Sequence, residues 1–311
     1  MFNRKPTLIT AYQRFMTAPD RRISGYTLAK YHYDFLPFIH HHHDKRINKI
    51  TEGHVIGWFS LLENARGLSQ ATLAKHRGMH RAFFNWCKFQ GWIKNNPADS
   101  LPVYNDKPAV VTVPTDDTVS KAINQAITMS HSSSPLDRRD ACIFACVYSF
   151  GNRRGEIKNL NVAPFWLALR RPIDLDGRTV YPVATTGKTG TAVALLGETQ
   201  REMIIRYLSS LPDQSADGSL FINLDPYSPR YLNRLSDMAM TRARKKVLKK
   251  SNIDRLTYQD LRRWRGTQAA RAGGVSAGAA VLQNSERVFR DFYYADNLID
   301  AFKAAVAGGG L

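Results

Sequence analysis

The sequence predicts a mainly α-helical protein with a small β-sheet, divided into two domains. Apolar residues recur at helical spacing through the first hundred residues. A segment with three prolines and little helical periodicity follows at 102–114, and beyond it two short runs rich in β-branched residues flank a glycine-bearing turn. With 311 residues, the chain exceeds the usual size of one domain. We therefore expect a helical domain over 1–101, a linker over 102–114 and a mixed α+β domain over 115–311.

The first domain is predicted to be a bundle of helices. Its first helical stretch carries apolar residues at helical spacing: Leu28, Tyr31, Phe35 and Ile39. A second helix is predicted to begin after Thr51, as its N-cap, and to stop at Gly67. Ser69 and Gly91 bound a third helix, and the segment Asn95-Asn96-Pro97 ends the bundle.

The second domain is predicted to contain helices around a short hairpin. Its predicted strands are Thr179–Thr185 and Thr191–Leu196, on either side of a polar turn. The predicted helices are Asp116–Met129, Asp137–Phe150, the strongly basic Tyr231–Lys250 and the arginine-dense Tyr258–Arg271.

The charge of the chain favours a polyanionic partner. Forty-four Lys and Arg against 26 Asp and Glu leave a net charge of +18 and a pI of about 10.0. Nucleic acid is the first candidate, because each neutralised phosphate releases counterions, and a membrane surface is the second. The sequence has no apolar run long enough to span a bilayer or to form a signal peptide. We therefore expect a soluble cytoplasmic protein with no membrane partner.

Three features that suggest a metal or a nucleotide have simpler interpretations. Cys142 and Cys146 lie in an apolar run with Cys87 far away, which favours buried thiols over zinc ligands. The four consecutive histidines 40–43 cannot all face one ion, so we expect a loop or frayed helix end that gains charge below about pH 6.5. The turn 186–190 lacks the spacing of a phosphate-binding loop. We expect no metal, no cofactor and no bound nucleotide.

Phosphodiester transfer without a metal needs cations, a proton donor for the leaving oxygen and a nucleophile. Four segments offer such groups in order along the second domain: 151–156, 186–190, 260–263 and 282–293. The first places Arg153 and Arg154 at an apparent helix start, where backbone N–H groups also favour an anion.

In order and spacing, these segments resemble the catalytic boxes of the tyrosine recombinases, also called the phage integrase family. The preceding helical bundle resembles that family's core-binding domain, so the expected fold is a helical core-binding domain followed by a mixed α+β catalytic domain. The resemblance implies that Arg153, three residues before Glu156, is the first catalytic arginine and that Arg262 is the second. It implies that Lys188 protonates the departing 5′-oxygen. Both arginines could present planar forks to the phosphate.

The resemblance also implies that Tyr293 is the nucleophile, because it lies nine residues after the last residue of a Leu-Gly-His type box, here Asn284. The adjacent Tyr294 is the alternative. Two residues depart from the family pattern: Gln259 replaces the histidine of His-x-x-Arg, and Asn284 replaces the histidine or tryptophan of the later box. Both can donate hydrogen bonds, and neither titrates near neutrality.

The function implied is site-specific recombination through a 3′-phosphotyrosyl intermediate and a four-way junction, by a homotetramer on two double-stranded DNA sites. Two alternatives remain: a cleavage-deficient DNA-binding accessory protein of the same fold, and a relaxing enzyme resembling type IB topoisomerases. Candidate DNA contacts are Lys75, Arg77, Arg81, Arg154, Arg244, Lys245 and Arg263. The final segment, with Leu298, Phe302 and Val306 at helical spacing, is expected to dock on a neighbouring subunit or on its own.

Overall fold

The computed structural model describes residues 5–18, 25–42, 45–105, 112–187, 190–211 and 218–293. The chain divides into two compact units, Met1–Pro108 and Ala109–Leu311. The change of unit falls within the segment that the sequence predicts as a linker, whose residues 106–111 lie outside the described ranges. The C-terminal segment with Leu298, Phe302 and Val306 also lies outside them.

The regular elements of unit 1 among its described residues are helices, as predicted. Its α-helices are α1 (Leu8–Thr17), α2 (Gly25–His42), α3 (Glu52–Ser60) and α4 (Gln70–Phe89). A 3₁₀ turn covers Ile47–Lys49, and α3 continues into a short π-helix, Leu61–Ala65. The predicted N-caps Thr51 and Ser69 are confirmed. The predicted stop residues Gly67 and Gly91 follow these helices with φ of 60° and 67°, the left-handed region that glycine adopts without strain.

Aromatic rings fill the core of unit 1, and histidines lie among them. Phe35 is buried, and its ring centroid lies 4.8 Å from that of Phe83 and 4.7 Å from that of His80. His42 ends α2 and is 7% exposed, so burial, followed by the charges of neighbouring histidines and Lys45, lowers its pKa to about 4. The expectation of charge gain below about pH 6.5 is therefore wrong for His42; His43 lies outside the described residues.

Unit 2 combines helices with one antiparallel sheet in the part of the chain that is described. Its helices are α5 (Asp116–Ser130), α6 (Pro135–Phe150), α7 (Arg154–Lys158), α8 (Val162–Leu169), α9 (Glu198–Leu208), α10 (Asp237–Lys250), α11 (Tyr258–Val281) and α12 (Glu286–Phe292). The strands are β1 (Ile173–Leu175), β2 (Arg178–Gly187) and β3 (Gly190–Leu196), in the order β1-β2-β3. The mainly α fold with a small sheet is thus confirmed, and the two predicted strands are β2 and β3. The third strand, β1, was not predicted because three exposed residues carry no alternating pattern.

The predicted helix Tyr231–Lys250 begins too early. The N–H of Leu235 donates to the carbonyl of Phe221 at 2.9 Å, so the chain before Ser236 pairs with an upstream segment instead of coiling. Ser236 then caps α10, its side chain accepting from the N–H of Ala239. Leu232, with φ of 61°, also lies outside helical geometry.

Helix α6 lies at the centre of unit 2 and contacts α5, α9, α10 and α11. Cys142 and Cys146 on this helix are fully buried, in agreement with their interpretation as core thiols. The predicted helix Tyr258–Arg271 forms the first part of α11. Non-helical geometry at Gly273 and Gly274 then divides α11 into two segments. Among the described residues, no helix is long and apolar enough to cross a membrane.

Candidate active site

The turn between α6 and α7 positions Arg153. Gly151 ends α6 with φ of 63°, and Arg153 is the N-cap residue of α7. One carboxylate oxygen of Glu156 accepts from the backbone N–H of Arg153 at 2.8 Å, and the other accepts from its Nη1 at 2.9 Å. Glu156 therefore fixes both the backbone and the guanidinium of Arg153, which keeps 35% of its side chain exposed.

Arg262 lies in the first part of α11 and is almost fully buried, 1% exposed. Its Nη1 donates to the carbonyl of Gly151 at 2.6 Å, and its Nη2 donates to the carbonyl of Leu282 at 2.6 Å. The guanidinium of Arg262, which was expected to bind a phosphate, thus already donates hydrogen bonds to two backbone carbonyls. Burial lowers the pKa of Arg262, while hydrogen bonding and charge interaction with Tyr293 oppose that shift.

Tyr293 follows α12 directly and is 8% exposed. Its ring centroid lies 4.9 Å from the Cζ of Arg262. Burial alone would raise the pKa of its phenol. Hydrogen bonds from Gln259 and Arg262, with the positive charges of Arg262 and Arg153, outweigh burial, so the pKa is lowered from its ordinary value of 10.0. Tyr294, the alternative nucleophile, lies outside the described residues.

Asn284 joins the two arginines. Its Oδ1 accepts from Nη2 of Arg153 at 3.0 Å and from Nη2 of Arg262 at 3.4 Å. The first of these bonds connects residues 131 positions apart. The structure therefore brings together five of the six predicted catalytic residues: Arg153, Gln259, Arg262, Asn284 and Tyr293.

Lys188, the sixth, falls between β2 and β3 along the chain and is outside the described residues. The preceding residue, Gly187, is next to the cluster. A Cβ atom added to Gly187 would lie 2.8 Å from Oε1 of Glu156, the oxygen that binds Arg153. A glycine at this position lets the stem of the hairpin approach the Arg153–Glu156 pair closely.

The predicted DNA contacts of unit 1 lie on α4 in different surroundings. Lys75 is exposed to solvent. Arg77 donates from Nε to the carbonyl of Leu101 at 3.2 Å, and Arg81 pairs with Asp99 at 3.0 Å. Arg77 and Arg81 thus also tie α4 to the chain that follows it.

In unit 2, Arg154 of α7 and the exposed Arg242 and Lys245 of α10 line one surface depression of about 310 Å³. Arg154 lies 3.7 Å from a carboxylate oxygen of Asp237. Two other predicted contacts make bonds within the unit. Arg244 donates to the carbonyl of Leu256 at 2.7 Å, and Arg263 lies 3.7 Å from Asp260 on the same helix.

Two residues of the cluster were not singled out as site residues by the sequence. In the sequence, Glu156 only marks the motif that contains Arg153. In the structure, its carboxylate orients that arginine. Gly187 carried no signal beyond its place in a turn. Within the described residues, no three histidine, cysteine, aspartate or glutamate side chains gather closely enough to hold a metal ion.

Comparisons with known proteins find similar sequences for parts of the chain. Residues 9–91 match the family model "Phage integrase, N-terminal SAM-like domain". The chain is 34% identical over 100 residues to tyrosine recombinase XerC of Chromobacterium violaceum, a match that covers 32% of each chain. It is 26% identical over 198 residues to tyrosine recombinase XerC of Mycobacterium leprae, covering 55% of this chain and 64% of that one. Both matches span less than two thirds of the relative.

Solved structures with a similar fold cover nearly the whole chain. A lambda integrase fragment bound as a dimer to a core site has a TM-score of 0.67 at 16% identity, covering 94% of this chain and 97% of that one. The Tn1549 transposon integrase in complex with a circular intermediate DNA has a TM-score of 0.67 at 14% identity, covering 98% and 100%. At these identities the similarity establishes the fold. The N-terminal family match and the two relatives add that parts of the chain are similar in sequence to tyrosine recombinases of the phage integrase family.

Proposed function

We propose that this chain is a site-specific DNA recombinase that cleaves and rejoins DNA through a 3′-phosphotyrosyl intermediate. The observation that carries the proposal is the convergence of Arg153, Arg262 and Asn284 at Tyr293, from segments far apart in the chain. A tyrosine packed against one guanidinium group and within the field of a second suits attack on a phosphate, because the same charges favour the phenolate and the added charge of the transition state.

In the proposed reaction, Oη of Tyr293 attacks the phosphorus and forms a phosphotyrosyl ester as the P–O5′ bond breaks. The phenolic proton leaves the site, and the departing 5′-oxygen takes up a proton, which the family resemblance assigns to Lys188. Arg153 and Arg262 stabilise the extra charge on the non-bridging oxygens. The ester retains the bond energy, so a 5′-hydroxyl from a partner strand can attack it and reverse the chemistry without a cofactor.

The proposed partner is double-stranded DNA, bound by a homotetramer across two sites in the cytoplasm. A net charge of +18 supports DNA binding, and so does the depression where Arg154, Arg242 and Lys245 outnumber one carboxylate, that of Asp237. One structure of similar fold is a lambda integrase tetramer bound to a Holliday junction, with a TM-score of 0.66 at 15% identity. This similarity supports the proposed tetramer, and with it the proposed strand exchange through a four-way junction.

Covalent trapping tests the proposal. Duplexes selected from a random pool for binding to the full chain would be nicked near the bound centre, so that the freed 5′-end diffuses away after cleavage. We expect a protein–DNA adduct that resists denaturation. It should disappear in Tyr293→Phe and persist in the adjacent control Tyr294→Phe. Loss of the adduct in Tyr294→Phe alone would identify Tyr294 as the nucleophile. If the wild-type protein forms no adduct, the proposed cleavage is refuted.

Gln259 and Asn284 favour a second function, a DNA-binding accessory protein that has lost cleavage, because neither residue can exchange a proton near neutrality. Such a protein would bind the selected duplexes as tightly as Tyr293→Phe does and would form no adduct. A relaxing enzyme resembling type IB topoisomerases would instead remove supercoils from a plasmid without exchanging strands between two sites.

A further inference from the structure

We infer that Asp116 is a positioning residue for the proposed reaction: its carboxylate holds the first segment of α11 in the rotation that keeps Arg262 in the catalytic cluster. The inference rests on the proposed function for the reaction that Arg262 serves. Asp116 is the first residue of α5, two positions after the end of the predicted linker. It acts through α11 and not on the substrate.

Three side chains of α11 meet at the carboxylate of Asp116. Nε1 of Trp264 donates to its Oδ1 at 2.6 Å, and Nε2 of Gln268 donates to the same oxygen. A guanidinium nitrogen of Arg271 lies 3.9 Å from Oδ2. These three residues are four and three positions apart, so they lie on one face of the helix. One side chain of α5 therefore binds α11 along about two turns.

Arg262 lies on the opposite face of the same helical segment. Each residue of an α-helix turns about 100°, so the side chains of Arg262 and Trp264 leave the helix about 200° apart. Arg262 is fixed on its own face by the carbonyls of Gly151 and Leu282, both at 2.6 Å. The segment is thus held from two sides, and a rotation about its axis must break hydrogen bonds on both.

Trp264 also joins α11 to α6. Its indole stacks on the ring of Tyr148, with centroids 5.2 Å apart and planes at 24°. Helix α5 packs on α6 as well, and α6 ends at Gly151, the acceptor of Arg262. The hydrogen bond from the indole to Asp116 adds a directional restraint to this stacking. Asp116 therefore completes a set of contacts among α5, α6 and α11 that fixes the helix carrying Arg262.

The neighbouring Asp117 provides a matched control. Both aspartates lie in the first turn of α5, where a negative charge favours the helix, and both carboxylates are exposed. Asp117 pairs with Lys121 of its own helix at 2.8 Å. Asp116→Ala and Asp117→Ala thus remove the same charge from the same helix end, and Asp116→Ala also removes the acceptor of Trp264 and Gln268.

Two further variants separate the hydrogen bonds from the charge. Asp116→Asn keeps an oxygen that can accept from Trp264 and Gln268, and it removes the negative charge beside Arg271. Trp264→Phe keeps an aromatic ring to stack on Tyr148, and it removes the N–H donor. We expect Asp116→Asn to behave like the wild type and Trp264→Phe to behave like a weaker form of Asp116→Ala.

Three measurements on the full chain apply to each variant. The first is the affinity for the selected duplexes, and the second is the single-turnover rate of adduct formation at saturating nicked duplex over a range of pH. The third is hydrogen exchange of the peptide Tyr258–Arg271. We expect Asp116→Ala to bind DNA as tightly as Asp117→Ala does and to exchange faster in this peptide. It should form adduct about 10- to 100-fold more slowly, the scale of a misplaced catalytic group.

The pH profile separates positioning from a general loss of stability. Against burial, which raises it, Gln259, Arg262 and Arg153 lower the pKa of the Tyr293 phenol. When the first segment of α11 rotates, Gln259 and Arg262 move away from the phenol, so the midpoint of the rate should move to higher pH in Asp116→Ala. A variant that is only less stable loses adduct at every pH and keeps the midpoint. Asp117→Ala should keep both the rate and the midpoint of the wild type.

The outcomes distinguish this inference from the proposed function. Unchanged exchange or an unchanged midpoint in Asp116→Ala would overturn the inference, and so would equal changes in Asp117→Ala. If the wild-type protein forms no adduct, the recombinase function fails and hydrogen exchange decides on Asp116. Faster exchange in Asp116→Ala than in Asp117→Ala then supports the positioning of α11 by this carboxylate, and equal exchange overturns it.

Discussion

Tyr293 contacts Gln259 and Arg262, and these contacts lower the pKa of its phenol. A lowered pKa means that the phenolate form appears at lower pH than in a free tyrosine. The rate of adduct formation should therefore rise with pH and level off with a midpoint below 10, provided that attack limits the rate. Gln259→Leu removes one stabilising hydrogen bond and should shift the midpoint upward. Gln13→Leu, on the exposed face of α1, should leave it unchanged.

Glu156 belongs to the site through Arg153 and not through the substrate. Glu156→Gln cannot accept at both positions that Arg153 fills, so the guanidinium loses its orientation. We expect destabilisation of about 1–3 kcal/mol, the range for a buried charged hydrogen bond, measured by urea unfolding. Adduct formation should slow, and a high concentration of DNA should not restore it.

The matched control for Glu156→Gln is Glu202→Gln on α9. Glu202 pairs with Arg206 at 2.9 Å on the surface, where an ion pair contributes about 0–1 kcal/mol. Equal destabilisation in the two variants would show that Glu156 has no special role in orienting Arg153.

Motif spacing singled out Arg153, Arg262 and Tyr293, and the structure brings these three residues together. It did not reveal how Arg262 is held. The carbonyls of Gly151 and Leu282 bind its guanidinium, and backbone carbonyls have no residue type that a sequence could display. The bridging bonds of Asn284 were hidden for a similar reason, since they depend on two arginines arriving from different helices.

At the scale of elements, glycines let α12 pack closely on α11. A Cβ atom on Gly266 would lie 2.6 Å from Cδ1 of Leu282 and 2.8 Å from Cε2 of Phe289. Gly266→Ala should therefore force α12 away and destabilise the fold by about 1–3 kcal/mol, as overpacking does. Because Tyr293 follows α12, adduct formation should fall more than the loss of folded protein explains.

Gly57→Ala in α3 is the control for this prediction, since nothing lies within 4 Å of an added Cβ there. Alanine is the better helix former, so this variant should gain about 0.5–1 kcal/mol. Unfolding midpoints and adduct rates measured together would test both changes. A Gly266→Ala protein with wild-type values for both would contradict the packing described here.

Element boundaries were predictable where local chemistry sets them and unpredictable where tertiary pairing does. Ser69 capped a helix as expected because its side chain accepts from the N–H of Thr72. The start of α10 was misplaced because Leu235 pairs with Phe221, a contact that no local pattern announces. The break at Gly273 and Gly274 explains why helical periodicity ended near Arg271 although a second helical segment follows.

At the scale of the whole molecule, unit 1 should be sensitive to acid. Burial lowers the pKa of His80 to about 3 and that of His42 to about 4. Below about pH 6.5, these two histidines therefore bind protons in the unfolded chain that they do not bind in the folded chain. This contribution to stability is complete above about pH 6.5 and is lost as the pH falls toward the folded-state values, by about 1.4 kcal/mol per pH unit for each such proton.

His80→Gln tests this sensitivity. Glutamine retains a donor for the carbonyl of His76, which His80 contacts at 2.8 Å, and does not titrate. Urea unfolding of the full chain, followed by hydrogen exchange of α4, should then change less between neutral and acidic pH. His131→Gln, at an exposed position after α5, should keep the full pH dependence. Identical slopes in the two variants would exclude His80 as the source.

The hydrogen bond between Arg153 and Asn284 has a consequence for biosynthesis. It closes a loop of 131 positions, and long-range contacts of this kind form late in folding. A nascent chain emerging from the ribosome can complete the helices that carry Lys75 and Lys245 before Asn284 has been translated. Under the proposed function, we expect such a chain to adhere to nucleic acid and to be unable to cleave it until Asn284 and Tyr293 have emerged and the catalytic cluster has assembled.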